Sequence, residues 1–207
     1  MYNDGSIHFQ RSHAGGSMRK LAILALVLTA LGLGYFYISN SYSSTPIEAV
    51  EKVRFMNDGQ LLHEAETDRG RVLFLLRHLQ NGQTISAEYV QKTPLLGWKW
   101  GWGGGHTVPR ISENEPDSFW TEQYFSSTKG TDADSPFPLL FGVIQYPQID
   151  TIQVYSYTTN EGLTATIQDT ADSGIRIWYL FLPEEQGTRF KLTAQIGDRQ
   201  IISTKIS

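Results

Sequence analysis

The sequence predicts a mainly β fold with one N-terminal transmembrane helix and one short juxtamembrane helix, an antiparallel meander followed by a β-sandwich-like C-terminal half. Three observations predict it. Residues 21–38 (LAILALVLTALGLGYFYI) carry no charge, and Thr29 is their one clearly polar member. At about 1.5 Å per residue such a helix reaches roughly 27 Å, close to the thickness of a hydrocarbon core. Aromatic residues make up 12% of the chain and charged residues only 18%, with Thr, Val and Ile common, a balance that favours strands. Short apolar runs then recur between Gly, Asn, Asp and Pro turn signals.

The apolar segment sets the organisation. Leu21, Leu26 and Leu31 belong to its lipid-facing body, and Tyr35, Phe36 and Tyr37 suit an aromatic belt at its outer end. Arg11, Arg19 and Lys20 precede it, whereas no Lys or Arg follows before Lys52. The positive-inside rule therefore places residues 1–20 in the cytoplasm and 39–207 outside, in a single-pass plasma-membrane arrangement. Residues 1–17 read as a short disordered tail, or as an extension ahead of a true start at Met18. A cleaved signal peptide is the rival reading. No A-x-A-like site is visible and the apolar run exceeds the usual signal core, so a retained anchor is favoured.

Residues 39–45 form a Ser-rich linker. Thr45-Pro46-Ile47-Glu48 then combines a cap, a first-turn proline and the Glu of a capping box, predicting a helix to about Met56 that Asn57-Asp58-Gly59 ends. Strands are expected at 61–67, 71–79, 84–92 and 95–102, with Asn81-Gly82 marking a tight hairpin between the second and third. With the helix covering one face, this makes a module over 46–125. Residues 103–116 and 126–138 read as loops, the second as the boundary to a sandwich-like subdomain over 139–207. Strands are expected there at 139–146, 149–157, 163–169, 175–182, 189–196 and 200–206, with Gly197-Asp198 turning the last hairpin.

Charge and cysteine usage restrict the function classes. Residues 39–207 hold 14 Lys and Arg against 20 Asp and Glu, a net charge of −6. That argues against nucleic acid and against a surface that hugs anionic lipid. The chain has no cysteine, which excludes disulfides and lipoprotein anchoring and fits a bacterial envelope.

The most distinctive run is GWKWGWGGGH, residues 97–106. Trp98, Trp100 and Trp102 recur with period two, so a strand would put three indoles on one face and Lys99 on the other. The favoured reading packs them as core beneath the 46–56 helix. The alternative exposes them to stack on sugar rings or to bury a partner surface. These three and His106, in the glycine loop, are the candidate binding residues. The glycines match no phosphate-binding pattern. His63 and His78 sit on neighbouring strands, but no third ligand follows at a telling spacing, so no metal is expected. Glu113, Glu115 and Asp117, and Asp132 with Asp134, read as solvated acidic loops. Glu64 and Glu88 are conceivable as a glycosidase pair. No nucleophile motif is present, and no cofactor is expected.

Together these stretches resemble an uncharacterised family of small membrane-anchored extracytoplasmic proteins of bacilli and relatives. The resemblance rests on the LLGWKWGWGGGH run, on FGVIQYPQIDTIQV with Gly142, Ile144, Pro147, Ile149, Ile152 and Val154, and on IRIWYLFLP. It covers most of 46–206 and implies a fold but no activity. The reading that follows is a non-enzymatic binding or interaction module of the cell envelope, contacting another envelope protein or a wall polymer. A wall-acting hydrolase using Glu64, Glu88, His78 or His106 is one alternative. A membrane-linked regulatory partner is the other.

Overall fold

A computed structural model describes residues 14–55, 59–80, 82–112, 116–131, 134–170 and 174–206. The chain divides into two units, 1–41 and 42–207. In the first, helix α1 (Ala14–Ser41) contains a span, Met18–Ser41, long and apolar enough to cross a membrane. Thr29 donates its hydroxyl to the Ala25 carbonyl at 2.9 Å, so the one polar side chain of the apolar run meets its need within the helix. The expected tail, with Arg11 and the histidines at 8 and 13, lies mostly outside the described residues.

The second unit is built in four layers. Helix α2 (Pro46–Arg54) starts as expected: Thr45 Oγ1 accepts from the Glu48 N–H, and Glu48 Oε2 accepts from the Thr45 N–H, both at 3.3 Å. Phe55 caps its end in a left-handed conformation, so the helix stops at Arg54, two residues before the expected end at Met56; of the expected stop signal at 57–59, residues 57 and 58 lie outside the described residues. Beneath α2 lies a meander of β1 (Gln60–Thr67), β2 (Gly70–Leu79), β3 (Gly82–Thr93) and β4 (Gly97–Val108), in that spatial order. The β2–β3 register closes at Leu79–Gly82, so Gly82 begins a strand; Asn81 is outside the described residues.

The C-terminal part forms two sheets. Strands β5 (Gln123–Phe125), β6 (Leu139–Ile144), β10 (Arg176–Phe181) and β9 (Thr166–Asp169) make the first, in the order β5-β6-β10-β9. Strands β12 (Arg199–Ile206), β11 (Phe190–Ile196), β7 (Thr151–Ser156) and β8 (Gly162–Thr164) make the second, in the order β12-β11-β7-β8. The run 163–169, expected as one strand, breaks at Ala165. Its first half pairs with β7 and its second with β10, carrying the chain from one sheet to the other.

The β5–β6 sheet is therefore a central layer. One of its faces shares a core with the meander through Phe125, Phe141, Val143 and Ile177 against Phe74, Ile85 and Tyr89. Its other face packs Leu140, Ile144 and Trp178 against Ile152, Val154, Phe190 and Leu192. Both faces being covered explains why the sequence of β6 (LLFGVI) is apolar without alternation. The 126–138 stretch does not separate two bodies. β5, before it, pairs with β6, after it, and the meander continues into the sandwich through a common core. A third core seats Ala49 and Val50 of α2 on Leu73, Leu75 and Val90.

Candidate functional site

β4 is the edge strand of the meander and carries the candidate residues. It extends to Val108, so residues 103–108, expected as loop, are strand paired along β3. The glycines permit this. A Cβ at Gly103 would fall on the Glu88 carboxylate, and one at Gly105 on the Ile85 carbonyl. The run is glycine because backbone and side chains of β3 approach it closely.

The indoles do not share one face. The register slips by one residue between Tyr89–Trp102 and Val90–Trp100, leaving Gly101 as the extra residue of a β-bulge. A bulge reverses which residues point to which face. Trp98 and Trp100 thus pack beneath α2. Trp102 turns to the opposite face, with edge-on contacts to Phe125 at 4.6 Å and Phe137 at 5.3 Å between ring centroids. All three are half-buried.

Trp100 belongs to a polar knot. Its Nε1 donates to Glu88 Oε2 at 2.8 Å, and Arg54 Nε and Nη2 donate to the same oxygen at 3.2 and 3.1 Å. The Arg54 guanidinium also lies 5.0 Å from the Trp100 ring centroid. Glu88 is fully buried, and its Oε1 has no partner among the described residues. Arg71 and Lys92 lie over the Trp98 ring at 5.4 and 5.6 Å. Such cation–π contacts hold the indoles in fixed orientations.

His106 faces away from this knot. Its Nδ1 lies 2.9 Å from Gln123 Oε1, an acceptor, so the proton sits on Nδ1. Nε2 is buried without a partner among the described residues. Burial lowers its pKa, against a smaller raising effect of the Gln123 hydrogen bond, and the ring is neutral at physiological pH. His106 is therefore a packed residue beside Phe141.

The other candidates are not brought together. His63 stands opposite Phe74, within 3.3 Å of the Tyr179 hydroxyl, while His78 lies four residues further along β2 beside Gln83. Glu64 and Glu88 flank Leu73 in register, but Glu64 is engaged by Arg71 at 2.7 Å, Glu88 by Arg54, and Leu73 is sealed under Ala49 and Val50. No group of three or more His, Asp or Glu side chains is arranged to hold a metal ion among the described residues. Residues 113, 115 and 132 of the acidic loops lie outside the described residues; Asp134 pairs with Arg69.

At the bulge the surface opens into a cleft of about 510 Å³. Trp100 and Trp102 reach it from opposite faces, and Gln91, Lys99, Gly101, Thr128 and Thr131 complete its lining. Gln91 stands opposite Lys99 in register. No carboxylate or histidine is among these lining residues. Sequence reasoning missed Gln91 and Thr128. The register that joins Gln91 to Lys99 is set by the turn at Thr93–Gly97, and Thr128 arrives from a loop. No protein-family model, curated protein or solved structure matches the chain.

Proposed function

We propose that the chain is a single-pass envelope protein whose β-rich outer unit binds a hydroxyl-rich wall polymer without altering it. α1 anchors it in the plasma membrane, with the charge bias of Arg19 and Lys20 directing residues 42–207 outward. The observation that carries the reading is the cleft at the β4 bulge. Two indoles held by buried contacts give apolar faces for sugar rings. Gln91 and Lys99, which make no side-chain hydrogen bond or ion pair among the described residues, give donors for hydroxyl groups. The same lining lacks the paired titratable groups that hydrolysis needs. No observation favours the hydrolase or the regulatory reading.

Co-sedimentation of the full chain in detergent with purified cell-wall sacculi tests this. The wild type sediments with the wall. The Gln91→Ala/Lys99→Ala variant loses at least fivefold in apparent affinity while melting within a few degrees of wild type, since Lys99 is exposed and the half-buried Gln91 has no side-chain hydrogen bond among the described residues, and such positions contribute within about 0.5 kcal/mol. Equal sedimentation of both proteins, or none by the wild type, rejects the assignment.

A further inference from the structure

The β3–β4 turn presents Thr93-Pro94-Leu95-Leu96-Gly97. Leu95 is fully exposed, and its φ of 66° lies in the left-handed region. Leu96 is 38% exposed. A leucine gains nothing there within the fold: glycine or asparagine would remove the backbone cost, and any polar residue would remove the apolar exposure. The segment that follows α1 is attached beside this turn. Ser43 and Trp98 exchange two backbone hydrogen bonds, each 2.8 Å long, and Trp98 is two residues beyond Leu96. Ser43 is in turn two residues beyond Ser41, the last residue of α1. Only two residues of chain thus separate the apolar helix from the strand pairing beside this turn. Beside it stands Trp98, with Lys92 stacked on its ring; Lys92 has no ion pair among the described residues. An indole and a lysine flanking exposed leucines is the chemistry of a group that sits at a lipid–water boundary.

We propose that Leu95 and Leu96 insert into the outer leaflet as a second, shallow membrane contact of the folded unit. This rests on reading α1 as the membrane span. The contact pins the meander against the bilayer at one corner, with the leucines in the acyl boundary and Lys92 at headgroup level. Most of the outer surface stays clear of lipid, in keeping with its net negative charge. A bilayer is preferred to a protein partner because the covalent attachment brings lipid to this turn in every molecule.

The cysteine-free chain allows single-site labelling. A fluorophore is placed at Leu95→Cys, at Leu28→Cys in the middle of α1, or at Leu79→Cys on the β2–β3 hairpin. Each full-length protein is reconstituted into nanodiscs of phosphatidylcholine, with and without phosphatidylglycerol, carrying brominated acyl chains that quench on contact. The expected result is strong quenching at position 28, quenching at position 95 at least twofold above that at position 79, and loss of this excess when the label is moved to Leu96→Cys in a Leu95→Asp background. Quenching at 28 with equal, low quenching at 95 and 79 overturns the second contact and leaves the anchor standing. Absence of quenching at 28 overturns the anchor, and the contact with it. Excess quenching at 95 only with phosphatidylglycerol retains the contact and assigns it to Lys92.

Discussion

β6 and β4 are strands of similar apolar character put to opposite uses. Every residue of β6 is buried, whereas β4 buries only Val108. β6 lies inside the central sheet with a core on each side. β4 is an edge whose outer side is met by the single bridge to Ser43 among the described residues. Burial on both faces leaves no surface for recognition but concentrates the hydrophobic stabilisation there. An edge with a bulge, glycines and half-buried indoles stabilises less and leaves aromatic surface open. The contrast within the unit is therefore between a stabilising centre and an open rim, the rim being where we propose that recognition takes place.

The contrast is broken most severely at the centre. Trp178 is fully buried and donates its Nε1–H to the Thr121 carbonyl at 2.8 Å; a Cβ on Gly142 would collide with that same carbonyl. Trp178→Ala should cost about 4 kcal/mol, as large aromatic deletions do. Gly142→Val should prevent folding at the growth temperature, seen as loss of the cooperative thermal transition. A rim substitution of equal severity would erase the distinction.

Glu88 tests the boundary between the two regions. Glu88→Ala strips the partly exposed Arg54 and the Trp100 Nε1–H of their shared buried acceptor, and loss of hydrogen bonds to a charged group costs about 2 kcal/mol. Chemical denaturation should show this loss. Trp100 fluorescence should also shift to the red as its indole gains contact with water. A loss below about 1 kcal/mol would mean the knot orients Trp100 without stabilising the sheet.

This knot marks where sequence reasoning stopped. The capping box at Thr45, the first three strands and the Gly197-Asp198 hairpin were legible because each rests on local chemistry: a hydroxyl three residues from a carboxylate, short apolar or alternating runs between turn signals, a turn glycine. The three-sheet layering was not, since the switch at Ala165 changes pairing partner without changing composition. Nor was the bulge at Gly101, because one extra residue among glycines leaves the period-two spacing of the tryptophans intact while reversing their faces. The glycines of β4 looked like a loop because a loop and a close approach call for the same missing side chain.

The smallest effect expected is in pH dependence. Desolvation lowers the pKa of both His106 and His63 from the ordinary 6.5. Protonation then favours the unfolded chain. Their contribution is complete above about pH 6.5 and is lost as pH falls from there through the lower folded values. Denaturation midpoints should decline from pH 7 to pH 5, and His106→Gln should flatten the slope. A wild-type midpoint that rises as pH falls over that range would contradict the assignment of half-buried, neutral rings.

Hydrogen exchange of the full chain, with and without solubilised wall glycan, reads the centre and the rim side by side. The β6 amides should be slow in both states, whereas the β4 amides that are bonded neither to β3 nor to Ser43, and that of Thr128, should exchange fast alone and slow at least tenfold with glycan. Protection confined to other surfaces, or no change along β4 at saturating glycan, would contradict it.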